Sequence, residues 1–300
     1  MINFKKIEIT DKKWIDPLIM ASDLSGCHQN FTNLLIWAKV HHTRVAQIDN
    51  YLVVKTGAEF NNQGYFYPAG SGDIKPVLEK MKADAKADNH PFILNGVSPE
   101  NIKVLDKLYP GKFKYEEIRG NFDYVYLLDK MVSLSGKKLS AKRNHNNSFK
   151  KNHSWSFELI TEENLDECWQ MNEEWCKEAG CHEDPDLKKE ACASRQSFKY
   201  FVELELEGGL LRSNGKIIAY TMGERLNSDT YVIHIEKAFR GIQGAYSMIN
   251  REFAAIVQER YPDIVYINRE EDMDEEGLRK AKMSYYPDKM EEKYIAKFQG

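Results

Sequence analysis

The 300-residue sequence contains no apolar run near the roughly 20 residues that a membrane-spanning helix needs, so no span is expected. Its start, Met1 to Trp14, lacks the apolar block and small-residue cleavage site of a secretory signal and carries Lys5, Lys6, Glu8 and Asp11 instead, which predicts a cytoplasmic protein. Cysteine is scarce and odd in number: Cys27 stands alone, and the other four of the five fall between Cys168 and Cys192. That pattern argues against a secreted disulfide framework and predicts reduced thiols. No Cys-x-x-Cys pair occurs, so Cys176, Cys181, His182 and Cys192 lack the usual zinc spacing and no metal site is expected. The net charge of −4 gives no global attraction to nucleic acid or anionic lipid, and any such contact needs a local patch. Acidic residues are missing from Met131 to Phe157, where Lys137, Lys138, Lys142, Arg143, Lys150 and Lys151 stand. This basic run suits tRNA phosphates or anionic lipid headgroups, with a solvated linking helix as the plain alternative.

What is present is an echo. Ile7-Glu8-Ile9-Thr10-Asp11 followed by Trp14 and Met20 reads like Glu158-Leu159-Ile160-Thr161-Glu162 followed by Leu165 and Met171. In each, an alternating strand ends at a threonine suited to cap a helix that follows. Later, Phe92-Ile93-Leu94-Asn95 and Tyr109-Pro110-Gly111-Lys112-Phe113 match Tyr266-Ile267-Asn268 and Tyr286-Pro287-Asp288-Lys289-Met290 in order, with wider spacing. The length also favours two domains. Two copies of one βα domain are therefore expected, at 1–128 and 155–300, joined by the basic segment 129–154.

In the second half, strand 155–160, helix 162–179 and a helical stretch 187–206 precede a meander. Leu210 to Ser213, the dipeptide Asn214-Gly215 and Lys216 to Leu226 make a two-residue hairpin signal, because both turn positions need positive φ. Thr230 to Ala238 follows as a strand, then helix 241–260, strand 264–268, helix 275–284 and a last strand 291–298. Period-two alternation along Thr230 to Ala238 puts Val232, His234 and Glu236 on one face. Asn268 and Glu270 share a face on the next strand, with Arg269 opposite. The polar run Asn268 to Asp272 lies where open α/β sheets place ligands, beyond the carboxyl ends of strands. Arg279 and Lys282 follow at i, i+3 on the next helix and suit an anionic substrate group. Lys282 falls within the apolar stripe of Leu278, Ala281 and Tyr285, from which a lysine commonly snorkels to solvent.

The order β-α-α-β-β-β-α-β-α-β and the turn Arg240-Gly241-Ile242-Gln243-Gly244-Ala245 resemble the GNAT N-acyltransferase fold. Tyr124-Val125-Tyr126-Leu127, Lys142-Arg143-Asn144, His234-Ile235-Glu236-Lys237-Ala238, Asn268-Arg269-Glu270-Glu271-Asp272 and Gly277-Leu278-Arg279-Lys280-Ala281-Lys282 narrow the likeness. They look like an uncharacterised bacterial family related to the C-terminal domain of phosphatidylglycerol lysyltransferases, which are tandem GNAT-like proteins. The resemblance implies an α/β (α+β mixed sheet) fold and an acyl- or aminoacyl-transferase acting on an amine or hydroxyl acceptor. Its alternative is a ligand-binding protein that kept the fold without the chemistry. No permanently bound cofactor is implied, with acyl-CoA as one donor. In that likeness Arg240, Gly241, Gly244 and Ala245 would cradle the pyrophosphate at a helix N-terminus. Gln243, however, stands where the family pattern has its first glycine. Glu236 is the expected base, with His234 beside it. The usual acid tyrosine is replaced at its position by Lys280 or Ala281, which leaves Tyr285 as the substitute acid. Asn268, Arg269, Glu270, Arg279 and Lys282 are the expected substrate contacts.

Overall fold

The computed structural model describes residues 1–57 and 63–300. Alternating strands and amphipathic helices sort the chain into two compact units, Met1–Asp123 with Glu271–Glu276 and Met290–Gly300, and Tyr124–Glu270 with Gly277–Lys289. Each unit is mixed α/β around its own sheet.

The first sheet takes β1 (Lys5–Lys6), β2 (Arg44–Ile48), β3 (Tyr51–Thr56), β4 (Gly64–Phe66), β5 (Ala69–Gly70), β6 (Ile93–Val97) and β7 (Phe113–Glu117). The second takes β8 (Asp123–Leu127), β9 (Trp155–Leu159), β10 (Glu207–Ser213), β11 (Lys216–Arg225), β12 (Thr230–Ala238), β13 (Tyr266–Asn268) and β14 (Lys289–Glu291). The last strand, β15 (Tyr294–Phe298), returns to the first sheet between β6 and β7. The helices are α1 (Lys12–Ser22), α2 (Phe31–Ile36), α3 (Ala38–His41), α4 (Lys75–Ala87), α5 (Pro99–Leu108), α6 (Leu128–Ser133), α7 (Ser140–Asn152), α8 (Leu165–Ala179), α9 (Pro185–Lys199), α10 (Ala245–Arg260) and α11 (Glu276–Met283). None among the described residues is long and apolar enough to cross a membrane.

The two sheets are the same sheet twice. One runs β1-β2-β3-β4-β6-β15-β7 and the other, read from its far edge, β9-β10-β11-β12-β13-β8-β14. Each contains a parallel pair, β4 with β6 and β12 with β13, whose crossover carries a helix, α4 or α10. The segments that echo each other in sequence occupy matching places: β6 and β13, then β7 and β14. The sixth place is filled by exchange, since β15 from the chain's end serves the first sheet and β8 serves the second. The expected halves therefore differ from the observed units. Strand 291–298, expected in the second domain, pairs in the first sheet, and 129–154 is no linker but α6 and α7 of the second unit.

Local chemistry explains the elements. Asn214 (φ 50°) and Gly215 (φ 81°) take the positive values that the β10–β11 hairpin requires. The expected threonine caps do not form. Asn164 precedes α8 and ties its Oδ1 to the Thr161 amide and its Nδ2 to the Leu159 carbonyl, each at 2.9 Å. The first unit's core gathers Tyr65, Leu78, Met81, Leu94, Val97 and Leu105 under α4 and α5. In the second, α10 lays Met248, Ile249, Phe253 and Val257 on the sheet, all at most 2% exposed. Removing any one of these large core side chains costs about 2–5 kcal/mol.

One expectation about cysteine is corrected. Cys176 and Cys181 are paired as a disulfide, because Gly180 ends α8 in the left-handed region (φ 75°) and turns Cys181 back over the last helical turn. Cys27, Cys168 and Cys192 are in no disulfide.

Candidate functional site

Strands β12 and β13 pair only from Thr230 with Tyr266 to Val232 with Asn268. β13 ends there, while β12 continues to Ala238 with β11 as its only strand neighbour among the described residues. The sheet thus parts at the carboxyl end of its parallel pair, the place where α/β sheets offer backbone and side chains to a ligand. Polar side chains of the second unit converge on this opening.

Glu236 leads them, 9% exposed at its side chain. Its Oε1 accepts from Arg269 Nη2 at 2.7 Å and its Oε2 from Asn250 Nδ2 at 3.1 Å. Arg269 stacks beside Tyr285, with 5.1 Å from guanidinium carbon to ring centroid, and lies 6.0 Å from Tyr126. Burial opposes its charge, but Glu236, Tyr126 and Tyr285 outweigh that and hold its pKa above the ordinary value. Lys282 does not snorkel: 8% exposed, it donates Nζ to the Arg269 carbonyl at 2.5 Å, and its own carbonyl accepts from the Tyr126 hydroxyl at 2.8 Å. Tyr285 is buried, and burial, against the pull of Arg269, pushes its hydroxyl up to about 12. Asn250 Oδ1 and Arg269 Nη1 are buried without a hydrogen-bond partner. Glu236 and Asn250 also line a cavity of ≈ 10 Å³, room for about one water, with Ile233, Phe253 and Ile267.

His234 belongs to a second group. Its Nδ1 meets Glu270 Oε1 at 2.9 Å and its Nε2 meets Glu224 Oε1 at 3.0 Å, with the ring 1% exposed. Burial lowers its pKa, yet the two carboxylates overcome that and raise it to about 9, so the ring is an imidazolium at neutral pH with both N–H groups donating. The Glu270 amide in turn donates to Asn268 Oδ1 at 2.7 Å. The expected common face of His234 and Glu236 is corrected. Met222 pairs with Ile235 but Gly223 with Ile233, so His234 is an extra residue at a β-bulge. The bulge resets the alternation, and Ile233 and Glu236, three apart, line the same cavity. Likewise Arg269 lies past the end of β13, free of strand alternation, and reaches Glu236 directly. Arg279 is half-buried on α11, one turn before Lys282.

The turn expected to cradle pyrophosphate is differently placed. Arg240 and Gly241 are exposed, and Ala245 is fully buried. Gly244 precedes α10 in the left-handed region (φ 90°), and a Cβ on it would come within 2.8 Å of the His145 carbonyl oxygen and 3.1 Å of Phe149 Cβ. α7 therefore packs where an anion would approach, and Ser247 Oγ in the first turn of α10 donates to the Lys142 carbonyl at 3.4 Å and also bonds Asn146. These residues do not fit a pyrophosphate cradle.

The basic run is largely spent inside the unit. Arg143 Nη1 donates to the carbonyls of Leu134 and Gly136, and Lys150 pairs with Glu252 at 3.6 Å. Lys138 lies 5.3 Å from the Tyr286 ring centroid. Lys142 turns inward, its Nζ 4.0 Å from the Tyr285 ring centroid, while Lys137 and Lys151 remain exposed. Sequence reasoning missed Asn250 and Tyr126 as site residues and named Lys142 only within the basic run, as a contact to tRNA phosphates or lipid headgroups. The signal for two of them was available. Lys142 falls with Leu139, Asn146 and Phe149 at −3, +4 and +7, and Asn250 with Phe253, Ala254 and Val257, so each is a polar position on a buried helical stripe.

The first unit holds one further cluster. Cys27 Sγ and carboxylate oxygens of Asp123 and Glu271 lie within 4.8 Å of one another. The Lys293 ammonium, 2.5 Å from Asp123 and 2.9 Å from Glu271, fills the place a cation would take.

Twice-repeated sheets, each with a helix-bridged parallel pair, define a tandem GNAT-like α/β protein. The chain belongs to the family of the phosphatidylglycerol lysyltransferase C-terminal domain, whose profile matches residues 20–297. Among solved structures it is similar to a conserved protein of unknown function from Bacteroides thetaiotaomicron VPI-5482, at 40% identity over 100% of both chains and a TM-score of 0.94. It also resembles the C-terminal domain of a putative lysylphosphatidylglycerol synthetase from Agrobacterium fabrum, at 15% identity over 97% of this chain and 92% of that one, TM-score 0.69. L-PGS from Bacillus licheniformis matches at 15% identity over 100% and 94%, TM-score 0.66. No curated protein sequence matches significantly.

Proposed function

We propose that the chain is a cytoplasmic aminoacyltransferase that moves an aminoacyl group from an ester donor to an amine or hydroxyl acceptor at the Glu236 centre of its second unit. The observation that carries this reading is the fixed carboxylate of Glu236, held by Arg269 and Asn250 beside the unpaired stretch of β12. The acceptor nitrogen or oxygen attacks the donor carbonyl carbon, and that bond forms as the ester C–O bond breaks. One proton passes from the acceptor to Glu236 and one from Tyr285 to the leaving oxygen, after which Glu236 restores Tyr285. Proton transfer by a placed group contributes about 10²–10⁴-fold.

Tyr285 favours an ester over a thioester. A hydroxyl with pKa about 12 donates downhill to an alkoxide but uphill to a thiolate, whose conjugate acid lies near ~8.5. The packing of α7 against Gly244 points the same way, away from acyl-CoA. His234, already an imidazolium, acts here as a charged strut between Glu224 and Glu270. The family name makes a lysyl group and phosphatidylglycerol the first donor and acceptor to try, with exposed Lys137 and Lys151 available to tRNA phosphates or lipid headgroups.

The test is a donor panel: radiolabelled aminoacyl-tRNA and radiolabelled acetyl-CoA, each with phosphatidylglycerol vesicles and with small amines. Label should leave the aminoacyl ester and not acetyl-CoA. Turnover of acetyl-CoA alone would refute the ester donor. A protein that binds these donors without turning either over would be the ligand-binding alternative, which the engagement of both Glu236 oxygens by Arg269 and Asn250 favours.

A further inference from the structure

One charge at the Glu236 centre is uncompensated. Glu236 spends one oxygen on Arg269 and the other on Asn250. Lys142, half-buried on α7, has no carboxylate within ion-pair distance among the described residues, and its ammonium lies over the face of Tyr285, 4.0 Å from the ring centroid. Arg269 presses on the same ring and keeps Nη1 without a partner. Two cations thus contact one aromatic ring, the single carboxylate near them is already paired with Arg269, and one guanidinium nitrogen is left for something else. A half-buried ammonium set beside a guanidinium is unfavourable unless an anion completes the group.

We propose that Lys142 and the free Nη1 of Arg269 form an oxyanion-binding site for a singly charged group on the substrate, a carboxylate or a phosphodiester. The link to a substrate rests on the transferase reading above. The charge count sets the class: one negative charge balances Lys142, whereas a phosphomonoester dianion would leave excess negative charge beside Glu236. Arg269 supplies a planar donor and Lys142 a compact ammonium, the combination that holds such oxygens.

The site carries a pH signature. Burial and Arg269 lower the Lys142 pKa to about 8, against Glu236, which raises it. A bound anion favours the ammonium, so by linkage the anion binds less well once Lys142 discharges above that value. The titratable and charged groups facing Lys142 are Tyr285, Arg269 and Glu236. Of these, Tyr285 at about 12 and Arg269, above its ordinary value, hold their charge state through pH 9.5. His234 titrates near 9 but within its own carboxylate pair.

Calorimetric titration of the full chain with dimethyl phosphate, acetate and sulfate, at pH 7.0 and 9.5, tests this. Dimethyl phosphate or acetate should bind one to one at pH 7.0, more tightly than the sulfate dianion and at least about tenfold more weakly at pH 9.5. The tighter of the two names the source, phosphodiester or carboxylate. Lys142→Met should weaken binding at pH 7.0 at least about tenfold and abolish the pH dependence, while Lys188→Met on the exposed surface of α9 should match wild type. Because the wild-type protein itself also reports, pulse acetylation with acetic anhydride at pH 8 should modify Lys142 and be slowed by the bound anion. Absence of binding by all three anions, equal affinity in Lys142→Met, or unprotected Lys142 would overturn the proposal. Binding is read without turnover, so intact anion binding with no aminoacyl transfer would count against the transferase reading alone.

Discussion

His234→Gln tests whether the bulged histidine of β12 is a charged strut. The ring is 1% exposed and lies between Glu270 at 2.9 Å and Glu224 at 3.0 Å. Its pKa of about 9, against an ordinary 6.5, means that the folded state holds the proton more tightly than the unfolded chain does. A raised folded pKa contributes stability that is fully present below pH 6.5 and is lost as pH rises through 9. Each tenfold gain in proton affinity corresponds to about 1.4 kcal/mol, so the strut contributes up to ~3 kcal/mol at pH 6. Glutamine keeps a donor but no charge, and it leaves two carboxylates facing each other across β12. Urea unfolding of both proteins at pH 6, 7.5 and 10 gives the comparison, with tryptophan fluorescence and circular dichroism followed separately because two units need not unfold together. Wild type should be the more stable by ~3 kcal/mol at pH 6, with most of that difference gone at pH 10. An equal gap at both ends of the range would refute the charged-strut reasoning.

Three further outcomes follow from particular contacts. His28 titrates in the opposite sense: burial and the Lys293 ammonium, against Glu271, lower its pKa to about 3, so the first unit should lose stability as pH falls from 6.5 toward 3, and His28→Phe should flatten that loss in an acid titration followed by circular dichroism. Gly96 sits at φ 66°, and a Cβ there would lie 2.0 Å from His28 Nε2, so Gly96→Ala should cost about 2 kcal/mol or more in thermal or urea unfolding. Asn250→Leu removes the amide that steadies Glu236 and should leave the fold in place while lowering aminoacyl transfer roughly tenfold or more, with an unchanged KM for the donor as the mark of a positioning residue.

The sequence carried the fold well because its signals were periodic or sterically strict. Asn214-Gly215 demanded a hairpin, and Thr230 to Ala238 emerged as a strand with the bounds expected. The two echoing segments marked β6 with β13 and β7 with β14. The exchange of β8 and β15 was invisible because both strands satisfy the same pattern in either sheet, and nothing local states which partner a strand pairs with. At the site, Glu236 and Arg269 were both named, but their contact was not, since a bulge at His234 and the end of β13 break the alternation used to assign faces. Lys142 was hidden among surface lysines by reading charge along the chain rather than position on the helix, where Leu139, Asn146 and Phe149 place it on the buried side.

Glu236→Gln examines the central claim most directly, in a single-turnover assay of label transfer from aminoacyl-tRNA to phosphatidylglycerol or a small amine. Glutamine keeps the shape and the contact with Arg269 but removes the charge and the proton-accepting power. With circular dichroism unchanged, transfer should fall about 10²-fold or more while donor binding stays within a few-fold of wild type. Equal transfer by the variant would contradict the assignment of the Glu236 centre as the place where the acyl group moves.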